Sequence, residues 1–457
     1  MKLYRRFIHP DGLNRRLAML AGPIFMETLL VMTLGAVDTT MLSQHSDESV
    51  AAVGMVNQLI SLVFLVFEVT ALGTSILCSQ YIGARLRSRV IQTVGVSLLM
   101  NATLGLAVSL LLYFMAGPIL QLMGLRPELM ADGLGYMRIV GAFAFVQAIS
   151  MAASASLRSA DKAVYPMMVT LVVNVFNIIG NYTLIFGKFG APAMGAEGAA
   201  VSTAVSRTIA MFALLFFLHR KHIPSFPREL FRPFPTVELR NLLHIGIPSA
   251  GEQMSYSLSQ VVITYFINML GNDALAARTY CVNITMFVYL FSIAAGQGGA
   301  ICIGHLVGSS KPRAAFVLGK LVMRLSIVIS MTMSVIFAIG GRGIFGFLTS
   351  NADIVAMGTA ILWIDVILEF GRPVNIFAVN ALRSAGDIYY PVTVGIIVMW
   401  SVSVVASYLF GIVFGWGILG MWVAFLLDEN IRAVIFIRRW NSLRWTRKSF
   451  VRRALSD

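Results

Sequence analysis

Three polar side chains in otherwise apolar stretches have the types and spacing to do chemistry together. Asp38 stands in "LGAVDTTMLSQ" (34–44), and Asn177 and Asn181 stand in "NVFNIIGNYTLIFG" (174–187). A carboxylate in the core of a bilayer costs roughly 2.5–3.5 kcal/mol on insertion scales, so it turns toward a cavity or a partner. Withdrawn from bulk water, such a group can take up and release a proton. The four-residue spacing of the asparagines places both on one helical face. Carboxamides bond either protonation state of an acid without fixing its charge. This set favours H+ over Na+, because a sodium site calls for more oxygen ligands and more negative charge.

A second cluster lies in "WIDVILEFGRPVN" (363–375), where Asp365 and Glu369 are four apart and Arg372 follows Glu369 by three. All three can share a face. They read either as an ion pair bracing a helix broken at Pro373, or as a second carboxylate site for a cationic substrate or a proton. Glu27, Glu68, Arg278 and the "LDENIR" group (Asp428, Glu429, Arg432) are weaker candidates, with Asp428 and Arg432 spaced for an i,i+4 pair.

The elements that must hold these groups are membrane spans. Of 457 residues, 58% are hydrophobic and 12% charged, against about 25% charged in soluble domains. Apolar windows long enough to cross a bilayer predict twelve helices, near 17–42, 49–75, 90–115, 131–157, 163–186, 195–218, 243–269, 274–303, 314–338, 354–382, 390–411 and 417–437. The net charge of +14 does not mark nucleic-acid binding, because the basic residues gather in alternate loops. They precede the first span (Lys2, Arg5, Arg6, Arg15, Arg16), follow the second (Arg85, Arg87, Arg89) and fourth (Arg158, Lys162), fill the Pro- and Phe-rich stretch 219–242, and crowd the tail "RRWNSLRWTRKSFVRR". That is the positive-inside pattern with both termini cytoplasmic. Cys78, Cys281 and Cys302 are odd in number and give no disulfide framework or metal spacing. No phosphate-binding G-x-x-x-x-G-K-[ST] loop occurs, so any pumping would need an ion gradient or a separate ATPase subunit.

The chain is written twice, at an offset of 225 residues. Pro23 and Glu27 fall on Pro248 and Glu252, Gly83 on Gly308, and "LRSADKAVYP" (157–166) on "LRSAGDIYYP" (382–391). Farther on, "GAEGAAVSTAVSR" meets "GILGMWVAFLLDE" after a three-residue slip. Each copy holds six spans, so both enter the membrane from the same side as parallel repeats, a transporter architecture. The expected division is an N-lobe (1–218), a basic cytoplasmic linker (219–242) and a C-lobe (243–457). One repeat serves as control for the other. Arg158/Arg383 and Pro166/Pro391 recur and read as cytoplasmic anchors and turns. Glu27/Glu252 recurs one turn past each proline, where it could cap backbone groups freed by a kink. Asp38 does not recur, since Ile263 takes its place, and Asn177 and Asn181 face Val402 and Ala406.

With the repeats in place, the chain resembles the multidrug and toxic compound extrusion (MATE) family over nearly its whole length. The residues carrying this are the first-span "P…VDTTMLSQ", the paired "LRSADKAVYP" block, "NVFNIIGNYTLIFG", and "GAEGAAVSTA", which contains Thr203. The resemblance implies a V-shaped fold of twelve helices and export of amphiphilic, often cationic, compounds in exchange for H+ or Na+. It makes Asp38 an ion-coupling residue. Many members read Asn-x-x-x-Asp in the fifth span; here Asn177 matches and Asn181 stands in the second place, removing one carboxylate. NorM-like members also carry acids in spans seven and ten, where this chain has Tyr256 and Arg372, with Glu252 and Glu369 about a turn away. This places the chain nearer the DinF-like side of the family.

The expectation is therefore a secondary efflux antiporter of the bacterial inner membrane. It is an all-α integral membrane protein, monomeric in the bilayer, without cofactor or metal, coupled to H+ rather than Na+, and carrying cationic or zwitterionic amphiphiles. Two alternatives remain open. One is a flippase for a lipid-linked or amphiphilic metabolite, which Arg278 and Arg372 would suit. The other is a membrane enzyme acting on lipids, although His9, His45, His219, His222, His244 and His305 form no catalytic motif.

Overall fold

The computed structural model describes residues 10–451. Lys2, Arg5, Arg6, Arg452 and Arg453, part of the expected cytoplasmic charge, lie outside them. Among the described residues there is no strand, and twelve helical stretches occupy the expected places. The first six are Pro10–Ser43, Asp47–Gly83, Arg87–Phe114, the pair Met130–Ala142 and Ala144–Ser159, Val164–Phe186 and Gly195–Lys221. The second six are Thr236–Asn268, Asn272–Gly308, Pro312–Leu348, Ala352–Ser384, Tyr389–Val413 and Gly417–Asn441. Nine are long and apolar enough to cross a membrane, and the fourth, bent by 43° at its break, joins them when taken as one span. The seventh and twelfth have spanning length but are more polar.

Local chemistry sets the helix ends. Asn351 caps the tenth helix, its side chain accepting the Asp353 amide at 2.9 Å, as an Asn before a first turn should. Gly187, at φ +66°, ends the fifth in the left-handed conformation that favours glycine. His219, Arg220 and Lys221 close the sixth, complementing its negative end. One expectation fails: the tenth helix runs through Pro373 without a break. Within a bundle, neighbouring groups can satisfy the carbonyl a proline frees, so a span tolerates the residue. The eleventh helix is irregular, with π turns at Met399–Val404 and Leu409–Val413 separated by Val405–Tyr408.

The chain divides into two compact units. One, the N-unit, holds residues 26–82 and 86–246. Among the described residues the other, the C-unit, holds 10–25, 83–85 and 247–451. The first helix thus passes from one unit to the other between Phe25 and Met26, and the seventh between Gly246 and Ile247, each two residues from its repeat proline. In the N-unit the leading end of the seventh helix is held by Glu238. This fully buried acid accepts from Arg89 at 2.9 Å, from the Tyr81 hydroxyl at 3.1 Å and from Thr93 at 3.2 Å.

Lipid tails are as apolar as leucine, so close packing rather than water exclusion brings the helices together. Small residues do this here. A Cβ on Gly198 would come 2.6 Å from the Leu184 carbonyl oxygen, and one on Gly371 would come 2.7 Å from the Glu429 backbone. The first contact joins the fifth and sixth helices, the second joins the tenth and twelfth. The N-unit core gathers Leu42, Val56, Phe67, Leu112, Met137 and Ile185. The C-unit core gathers Ile263, Cys281, Phe345, Leu362, Met421 and Trp422.

Candidate ion-coupling site

Asp38 lies five residues from the end of the first helix and is half-buried. Its Oδ1 accepts the Asn181 carboxamide N–H at 2.7 Å. Asn181 Nδ2 also reaches Asn177 Oδ1 at 3.1 Å, and Asn177 Nδ2 reaches Thr203 Oγ1 on the sixth helix at 3.4 Å. The structure therefore brings together the three residues singled out first, with Asn177 acting one bond removed from the acid. Thr203 belongs with them. The fifth helix is fixed on both sides. Asn174 donates to the Leu30 carbonyl of the first helix at 2.8 Å, and Ser202 of the sixth donates to the Asn177 carbonyl at 2.9 Å. The close approach at Gly198 lets the sixth helix come near enough for the Thr203 and Ser202 bonds. Asn177 and Asn181 are buried, and Asn181 Oδ1 has no hydrogen-bond partner among the described residues.

Two further residues of this site escaped the sequence reading. Tyr136 donates to Asn57 Oδ1 at 3.1 Å, and Arg207, one helical turn beyond Thr203, sits over the Phe64 ring at 4.9 Å. The Arg207 charge acts on both Asp38 and Tyr136. The one signal available was the four-residue step from Thr203 to Arg207, which places both on one face.

Ile263, which stands where the second repeat would carry the acid, is fully buried in the C-unit core. The polar residues of the C-unit gather elsewhere. Asp365 and Glu369, both fully buried, meet Arg372 at 3.2 and 2.5 Å. The Arg372 guanidinium also lies 5.0 Å over the Tyr289 ring. The paired reading of that cluster thus describes its geometry. Arg432 pairs with Asp428, as its spacing suggested, and with Glu429 at 3.1 Å. Asn375 bonds Glu429 Oε2 at 2.6 Å. Arg278 bonds Gln260 at 2.9 Å, and Thr264.

The recurring glutamates differ from expectation. Glu27 pairs with Arg158 at 3.3 Å and Glu252 pairs with Arg383. Each acid is engaged by an arginine 131 residues away, so both serve as ion-pair partners instead of capping a kink, and Arg158 and Arg383, expected only as anchors, hold these acids. Glu68 lies near Arg158 without bonding it among the described residues. Glu252 and Tyr256 line a C-unit cavity of about 160 Å³ with Gln253, Gly395, Met399 and Arg432. Drug-sized pockets run to ~300–1,000 Å³, so this cavity as it stands admits a small group rather than a whole amphiphile.

A family model, MatE, matches residues 23–183 and 248–409, one match per repeat, and each begins at the repeat's proline. The uncharacterized transporter YisQ of Bacillus subtilis (strain 168) is 39% identical over 430 residues, 94% of either chain. A probable multidrug resistance protein NorM of Thermotoga maritima is 23% identical over 441 residues, 96% of this chain and 95% of its own. Among solved structures, a Vibrio cholerae MATE transporter, VcmN, superposes with a TM-score of 0.88 at 18% identity, over 96% of this chain and 98% of that one.

Proposed function

Since the chain belongs to the MatE family, we propose that it is a secondary efflux antiporter of the bacterial plasma membrane. It exports cationic or zwitterionic amphiphiles in exchange for protons loaded at Asp38. Similar proteins carry multidrug resistance names, which supports export of varied organic compounds. The alternating basic loops support a cytoplasmic placement of both termini.

The observation that carries the coupling assignment is the 2.7 Å bond from Asn181 to Asp38, backed by Asn177, where the other repeat buries Ile263. Ionised, Asp38 accepts the Asn181 N–H and offers its charge to a cationic group. Protonated, it keeps the bond and loses the charge. Proton and cation therefore exclude one another at one carboxylate, and such negative coupling is what antiport requires. Sodium is disfavoured by the ligand count: one carboxylate, two carboxamides and a hydroxyl. Efflux proceeds by alternating access of the two repeats around sites that each repeat carries.

The test is transport from proteoliposomes under separately imposed pH and sodium gradients. Wild type responds to the pH gradient and not to sodium, and Asp38→Asn loses gradient-driven efflux while keeping the elution profile of folded protein. Near-normal efflux by Asp38→Asn would sink the assignment, and sodium-driven efflux by wild type would replace the ion.

A further inference from the structure

Arg207 is a permanent cation placed in the middle of the sixth helix. A guanidinium at bilayer depth is costly and normally finds an acid or backbone carbonyls. Other inward arginines follow that rule: Arg158, Arg372, Arg383 and Arg432 each meet an acid, and Arg278 meets Gln260 and Thr264. Arg207 does not. None of its five N–H donors bonds a described residue, and its guanidinium lies over Phe64 of the second helix. Its position is interior. Asp38 of the first helix and Tyr136 of the fourth feel its charge, and Thr203 one turn away bonds into the Asn177–Asn181 pair. Its side chain is only partly buried by the described residues. Across the three-residue slip its repeat counterpart is Glu429, an acid that is paired with Arg432 and bonded by Asn375. The charge is inverted in the N-unit and left without a bonded partner.

A rigid fork of unused donors on an aromatic shelf is a receptor for a planar oxyanion. We propose that Arg207 is an anion-binding residue of the N-unit site, holding the carboxylate of an amphiphile whose cationic end is held by Asp38. This deepens the antiport reading and rests on it. An anion without a cationic partner would bind better when Asp38 is protonated, so proton loading would retain it and not release it. Only a molecule that also needs the ionised Asp38 is expelled by the proton. The preferred class is therefore zwitterionic, with an aromatic body to lie against Phe64.

The test is equilibrium binding by fluorescence to the purified full chain in detergent. The probes are a rhodamine free acid, a zwitterion, and its methyl ester, a cation with the same ring system. Wild type favours the free acid. Arg207→Gln shifts the ratio of the two affinities toward the ester by about tenfold or more, the value of one charged hydrogen-bonding pair. Arg207→Lys, which keeps the charge without the fork, falls between them. A loss of both dyes together would mean that Arg207 only supports the fold, and that overturns the proposal. An unchanged ratio, or a wild type that binds neither dye, overturns it as well. Binding at equilibrium needs no gradient, so a failed efflux test of Asp38 leaves this measurement readable, and the reverse holds too.

Discussion

Arg372 faces two fully buried carboxylates, Asp365 and Glu369, and no lysine could reproduce its planar fork. Arg372→Ala leaves both acids buried without their counter-charge, which we expect to lower stability by about 3–5 kcal/mol; thermal unfolding in detergent measures it, and a loss near zero would mean water replaces the guanidinium. Spacing alone made this cluster legible, because i,i+3 and i,i+4 neighbours on one helix must meet. The same rule gave Asn177 with Asn181 and Asp428 with Arg432. It could not give Arg158 with Glu27, whose partners are 131 residues apart, nor the unpartnered state of Arg207, which depends on what three other helices bring beside it. His222, just past the sixth helix, adds a pH response. Burial, reinforced by Lys162 and Arg87, pushes its imidazole down to about 4, and Nε2 has no hydrogen-bond partner among the described residues. Between about 4 and its ordinary 6.5 the unfolded chain holds the extra proton, so stability falls as pH drops through that window. His222→Gln flattens that acid limb; an identical pH profile of melting temperature would show that His222 titrates normally.

At the scale of the helix, the position of the asparagines depends on how near the fifth and sixth helices come. Gly198→Ala puts a methyl 2.6 Å from the Leu184 carbonyl oxygen. Overpacking of this kind costs about 1–3 kcal/mol and parts Thr203 from Asn177, so both melting temperature and transport fall. Gly54→Ala, where a Cβ meets nothing within 4 Å, is the control and is neutral or slightly stabilising, because alanine gives up less backbone freedom than glycine in a helix. Equal losses in the two variants would tie the effect to glycine replacement in general. Helix number and placement could be read from hydrophobic length and basic loops, because the bilayer sets both. The run of the tenth helix through Pro373 could not, because what satisfies a freed carbonyl lies on neighbouring helices.

At the scale of the molecule, the 225-residue offset gave the two repeats, and the two MatE matches begin at its prolines. The exchange of helix ends between the units near Pro23 and Pro248 was not legible, since it depends on contacts and not on pattern. The repeated ion pairs, Glu27–Arg158 and Glu252–Arg383, share no residue and lie in different units. We expect Glu27→Gln and Glu252→Gln to destabilise additively, within about 0.3–0.5 kcal/mol; a larger coupling in a double-mutant cycle would show that the units sense one another's pair. The eleventh helix limits how far such equivalence extends. Val402 and Ala406, the counterparts of Asn177 and Asn181, fall one in a π turn and one in the short α segment after it. A π turn takes about one residue more than an α turn, so a step of four no longer stacks two side chains there. Grafting the polar trio into the second repeat, as Ile263→Asp with Val402→Asn and Ala406→Asn, therefore has no matching lattice to receive it. Duplication has left this chain no spare: if Asp38 is lost, the other half cannot be made to stand in by restoring its letters.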